Sequence, residues 1–504
     1  MRTVTSVLLA WCFIAPSRGA AADVAPTTAK SFIADATQAE DRAAVIRLLE
    51  QKVNVNAPQS DGTTALHWAA HHNDSELVDR LIRAGAKVNV ANDYGSTPLS
   101  EAASLANTQI VQRLLKAGAK ADSANADGET ALMLVARTGN VNAALLLIEY
   151  GAHVNAVEQF RGQSALMRAA AQSQPAMVKE LIVHGADVNA TSSPNNWERQ
   201  VTAEPRALHR PTGGLTPLLY AAREGCLECA QNLVEGGANL NLPDPDGITP
   251  LIMAIQNAHF DTAAYLLSKG ANPNQWDWYG RTPLYEAVDE NTIPHGGRPD
   301  RPSLDKISSL KMIELLLAAG ANPNAQLKLL PPLRKVLDDR FVDAPLTIGA
   351  TPLLRAAKAM DVPVIAMLLK AGALVDLGNY QGYTPFLAAA GVGSNDADTR
   401  GWFTTEDVQA ASIASLRLLL NAGADINASG GRRNQTALHG AAFWGWNDVV
   451  QFLVDHGAKL DAKDSQGKTV IDAALGRAGG NSRGGQRIDV HKDTAALLEK
   501  LGAK

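Results

Sequence analysis

Residues 93–125 read DYGSTPLSEAASLANTQIVQRLLKAGAKADSAN, and this stretch decides the fold. Tyr94 and Gly95 form a turn in which the glycine can take positive φ. Thr97 can cap a helix, and Pro98 suits the first helical position. Leu99, Ala102 and Ala103 give that helix a thin apolar face. Asn107 interrupts it. Ile110, Val111, Leu114 and Leu115 then make a second apolar stripe at helical spacing. Gly118 closes the second helix in a left-handed conformation. The chain then returns in extended form to the next turn.

The same unit recurs at a step of about 33 residues. Its threonine signature opens at Thr64, Thr97, Thr130, Ser164, Thr216, Thr249, Thr282, Thr351, Thr384, Thr436 and Thr469. Repetition at this period predicts an all-α solenoid of stacked helix pairs rather than one globular core. Length therefore does not count domains here, because a solenoid grows by adding units. Lys and Arg number 46 against 51 Asp and Glu, a net charge of −5. With no basic excess to follow a phosphate backbone, nucleic acid is not an expected partner.

The first 22 residues read as a secretory signal peptide. Arg2 precedes a short apolar run over 7–15, and Ala20, Ala21 and Ala22 offer a small-residue cleavage site. Cys12 follows bulky Trp11, which argues against lipid attachment. No other stretch is long and apolar enough to span a bilayer. The expected destination is the periplasm or the medium of a bacterial-type cell.

The unit resembles the ankyrin repeat. The resemblance rests on 64–70 (TALHWAA), 185–190 (GADVNA), 423–428 (GADINA) and 436–442 (TALHGAA). Eleven copies cover roughly 60–504, and residues 32–56 look like a degenerate N-terminal cap. The family's motif histidine is kept at His67 and His439. Ser100, Met133, Leu219, Ile252 or Tyr285 fills the slot elsewhere. In the family this histidine bonds backbone between neighbouring repeats, so its loss should weaken single interfaces without changing the fold. The resemblance also implies a non-enzymatic scaffold that grips another protein with its hairpin tips and first-helix face.

Breaks in the period locate insertions. The expected organisation is a signal peptide over 1–22, a linker and N-terminal capping repeat over 23–59, and regular repeats over 60–192. A hairpin insert follows over 193–213. Repeats over 214–464 carry inserts near 291–308, 328–348 and 392–409. A C-terminal capping repeat over 465–504 has an insert near 477–490. Inserts at 193–213 and 328–348 should emerge on the edge bordering the groove, and the others on the far edge. Long surface loops cost little, yet repeat arrays often bind through them.

Trp276, Trp278, Tyr279, Tyr380 and Tyr383 lie at hairpin tips, where large aromatics act as interface anchors. Phe443, Trp444 and Trp446 form another aromatic cluster. For each of these the alternative is packing against a neighbouring repeat.

Candidate chemistry is sparse. Cys226 and Cys229 form C-x-x-C on the first turn of a helix. They are compatible with a local disulfide, with inert thiols, or with redox or metal work. Zinc would need a second ligand pair, and none is suitably spaced. His71 and His72 point about 100° apart on a helix and serve one ion poorly. No nucleophile elbow, zincin, phosphate-loop or dinucleotide fingerprint occurs in a fitting context. No catalytic residue, metal or cofactor is expected. The alternatives are a redox-active or metal-dependent envelope protein built on the cysteine pair, and a secreted host-directed effector.

Overall fold

The computed structural model describes residues 32–195, 212–292, 305–329, 344–394, 405–477 and 490–504. The predicted signal peptide and most of each insert lie outside the described residues.

Among the described residues, 24 helices alternate between two rows. The inner row runs from Phe32–Gln38, Ala65–His71 and Pro98–Ser104 to Ala437–Phe443 and Val470–Ala474. The outer row runs from Arg42–Glu50 and Ser75–Arg83 to Asn447–Asp455 and Lys492–Leu501. Each inner helix packs on the next inner helix, and each outer helix from Ser75–Arg83 onward on the next outer one. The apolar spine between the rows is one continuous cluster, as expected when each unit buries its face only against its neighbours.

Local chemistry explains the repetition. The Thr97 hydroxyl accepts from the Ser100 amide at 3.2 Å, and Thr351 accepts from Leu354 at 3.0 Å. Each such cap contributes about 1 kcal/mol. Outer helices are capped in the same way by Asp74, Asn107 and Asn140. Two residues after the capping Thr or Ser, Leu66, Leu99, Leu132, Leu166, Leu218, Leu251, Leu284, Leu353, Phe386 and Leu438 are all buried. Truncating any of these leucines to Ala would remove about 2–5 kcal/mol.

The motif histidine works as the resemblance implies. The Thr64 amide donates to His67 Nδ1 at 3.1 Å, so Nδ1 is unprotonated. Nε2–H then donates to the Ser96 carbonyl of the next repeat at 3.0 Å. His439 repeats this arrangement toward the Lys468 carbonyl at 3.2 Å.

A second inter-repeat bond recurs along the stack. Asn89 donates to the Gly118 carbonyl at 2.8 Å and accepts from the Lys120 amide at 2.8 Å. Asn56, Asn155, Asn189, Asn274, Asn324 and Asn427 make the same pair of bonds. Each lies four residues after the left-handed residue that ends an outer helix, a glycine everywhere except at Lys52 before Asn56. At Asp122 the carboxylate can only accept, from the His153 amide at 2.6 Å.

The hairpin insert at 193–213 leaves the stack through a two-residue antiparallel ladder, with Pro194 opposite Gly213 and Asn195 opposite Thr212. Near the C-terminal end one inner helix meets the backbone that follows its neighbour at a glycine. A Cβ on Gly440 would lie 2.6 Å from the Ala390 carbonyl oxygen, so only glycine fits there.

Candidate concave-face binding site

Side chains four and seven residues after each capping Thr or Ser project from the inner helices onto the concave face. The fold repeats these positions, and the sequence decides what each one presents. Two stretches of the face differ sharply.

The first stretch spans the inner helices Ala131–Thr138, Ala165–Ala171 and Pro217–Glu224. Their groove positions supply Arg137, Arg168, Tyr220 and Arg223 to an open basin of about 780 Å³. Arg168 pairs with Glu129. Its Nε is buried and makes no hydrogen bond. Arg223 lies 5.0 Å over the Tyr220 ring, and the Tyr220 hydroxyl accepts from Gln163 at 2.7 Å. The hairpin tip adds exposed Phe160 and Arg161. Glu158 also borders the basin, but its carboxylate is turned into the tip. It accepts from the Phe160, Arg161 and Gln163 amides at 2.6–3.0 Å. Burial alone would raise its pKa, but these three amides more than offset that and hold it below the usual carboxylate range.

The second stretch lies on the inner helices Pro283–Thr292 and Pro352–Lys358, and here the same positions are closed. Glu286 is 0% exposed, and Arg355 and Lys358 are buried. Arg281 bonds Asp277 at 2.6 Å and Glu286 at 2.9 Å. Arg355 bonds Asp289 at 2.6 Å, and Gln256 donates to Glu286 at 3.0 Å. Burial would lower the Arg281 pKa, but Glu286 and Asp277 outweigh it and raise it. Burial pushes the neighbouring Tyr285 hydroxyl up. At the adjoining tip, Asp244 is raised to about 6, first by burial and then by Asp246 and Asp277. Its carboxylate accepts from the Asp246 and Ile248 amides. Asn92, Asn125 and Asn379 do the same at other tips.

The five predicted anchors divide. Trp276, Trp278 and Tyr380 are exposed at 52%, 55% and 66%. Tyr279 and Tyr383 are not surface anchors, being 8% and 5% exposed. Tyr279 lies under the Arg281 guanidinium at 5.0 Å, and its carbonyl accepts from the Lys328 and Leu329 amides. The Tyr383 ring fills space left by Gly393 and Gly431, where an added Cβ would come within 2.6 Å of it. Lys328 covers one face of Trp276 at 3.5 Å. In the last aromatic cluster, Trp446 is buried and Trp444 donates to the Gly391 carbonyl at 2.9 Å, so both pack.

A disulfide joins Cys226 and Cys229, whose Cα atoms are 5.2 Å apart, and Cys226 stands at the N-cap of Leu227–Glu235. Cys229 is fully buried. His71 bonds Glu101 at 3.0 Å, while His72 stacks on Trp68. Among the described residues no three His, Cys, Asp or Glu groups converge as a metal site. No described helix is long and apolar enough to cross a membrane.

The basin arginines were legible in principle. They recur at the fourth and seventh positions after the cap, but only once those positions are known to face the groove. The closure of the central stretch has no comparable signature.

A family model described as ankyrin repeats (three copies) matches residues 33–124, 101–192, 218–327 and 408–482, more than half of the chain. Mouse ankyrin repeat and SOCS box protein 16 is 36% identical over 126 residues, covering 25% of this chain and 25% of that protein. Human ankyrin repeat and SOCS box protein 18 is 36% identical over 69 residues, covering 14% and 15%. The E3 ubiquitin-protein ligase hecd-1 of Caenorhabditis elegans is 34% identical over 110 residues, covering 22% of this chain but 4% of the ligase. The chain thus spans a quarter or less of each of these relatives.

Proposed function

The chain belongs to the ankyrin-repeat family, and from that premise we propose that it is an exported, non-enzymatic scaffold holding another protein in its concave groove. The observation that carries this is the open basin, to which three successive inner helices contribute side chains. A surface built from packed helices is preformed, so little ordering entropy opposes binding. Exposed Trp276, Trp278 and Tyr380, on tips two repeats apart, offer further contact area. The disulfide supports export, because such bonds persist in oxidising compartments.

A photo-crosslinking residue at Gln172 in the basin, compared with one at Glu149 on the outer row, tests the reading. In the native cell envelope Gln172 should capture one stoichiometric partner and Glu149 should not. Equal capture from both positions, or none from either, would sink it.

The redox alternative keeps one observation in its favour, a cysteine pair closed at a helix start. Thiol titration of protein purified without reductant decides between the two. An exported scaffold should show no free thiol before reduction and two after it, with binding unchanged. Partner capture that is lost on reduction would favour the redox reading.

A further inference from the structure

We infer that the basin recognises an extended acidic segment of a partner protein, with carboxylates at every third residue. This rests on the groove-binding reading and narrows it. Arg137, Arg168 and Arg223 stand on three successive inner helices. Packed helices lie about 8–10 Å apart. A polyproline-II segment advances about 9 Å every three residues and returns the same face to the surface at that interval. A chain laid across the helices therefore presents one side chain per helix at positions i, i+3 and i+6.

Four arginines line the basin against the carboxylates of Asp127, Glu129 and Glu158, and this balance favours carboxylates at those positions. Glu158 is consumed by backbone amides, and Glu129 engages Arg168 through Nη1 alone, leaving the Arg168 side chain partly exposed at the basin. Arg137 and Arg161 make no ion pair among the described residues, and Arg223 pairs only with the adjacent Glu224. The guanidinium fork matches a carboxylate with two parallel hydrogen bonds. Exposed Phe160, beside Arg161, provides an apolar contact at the tip edge.

The test uses the full chain and two fluorescein-labelled nonapeptides of identical composition. In one, Glu occupies positions 1, 4 and 7 among Pro and Ala; in the other, the three Glu are adjacent. Fluorescence anisotropy at low salt should show the spaced peptide binding at least tenfold tighter. Affinity should fall with added salt. Arg137→Glu with Arg161→Glu, both at exposed positions, should abolish binding while leaving the melting curve unchanged. Equal affinity for both peptides, or tighter binding of a single-stranded DNA oligomer, would make the basin a general polyanion surface and overturn the inference. So would no binding to either peptide. Self-association lost in the double variant would place a second copy in the basin and also overturn it. If Gln172 still crosslinks the native partner in the double variant, the acidic-segment inference fails while the groove reading stands.

Discussion

The basin from Ala131 to Glu224 and the stretch from Pro283 to Lys358 use the same two positions of the repeat for opposite ends. In the basin, Arg137 and Arg223 face open space beside an ion pair that water reaches. In the central stretch, Glu286 is buried on Arg281, which also holds Asp277, and Arg355 is buried on Asp289. Position in the repeat fixes only where a side chain points. What lies over it decides whether a charge is a contact for a partner or part of the protein's own interior.

The most severe way to break this comparison is to remove one acid from each region. Glu286→Ala leaves the Arg281 charge buried and short of a partner, and should cost about 3 kcal/mol. Glu129→Ala removes the partner of Arg168 at the basin wall, where both side chains keep some exposure, and should cost less, about 1–2 kcal/mol. Urea denaturation of the two variants checks this, and equal losses would mean the two stretches do not differ in environment.

Asp244 sharpens the boundary between the regions. Its folded pKa is raised to about 6, above its unfolded value, so its contribution is most favourable at low pH and is lost as pH rises through 6. Above that pH the carboxylate is held charged against its surroundings. Asp244→Asn keeps both amide bonds, as Asn92 and Asn125 do, and should stabilise the protein by about 1–2 kcal/mol at pH 7.5. The gain should vanish near pH 4, and thermal melts at the two pH values measure it.

The subtlest contrast sets the outer parts of the stack against the middle. His67 and His439 have pKa values lowered chiefly by burial, so both stay neutral in the folded state. Their contribution is complete above the unfolded histidine pKa and declines as pH falls below it. Leu219, Ile252 and Leu354 hold the same slot in the middle and do not titrate. Hydrogen exchange at pH 7.5 and 5 should show protection lost first around residues 64–96 and 436–468. His67→Leu should remove the effect at the first site only. Uniform loss along the stack would show that this slot does not govern local stability.

Much of the architecture was legible because it is local. Caps at Thr97 and Thr351, proline at the first helical position and left-handed glycines such as Gly118 act within a few residues, and the period repeats them. The asparagine bonds were equally periodic, but their partner is a carbonyl in the next repeat, which no single unit displays. At the tips, Q-W-D-W-Y-G shows three aromatics in four residues and gives no sign that Tyr279 turns inward under Arg281. Tyr383 is hidden because Gly393 and Gly431, ten and 48 residues further on, leave room for its ring.

The sequence by itself determined the repeat, the helix pairs, their caps and the spots where insertions interrupt them, since short-range hydrogen bonding and apolar periodicity encode all of these. Only the tertiary structure decided which groove charges face solvent, which anchors are buried and which arginines of successive helices share one basin. Those outcomes depend on contacts between units a repeat or more apart, and on the water those contacts exclude.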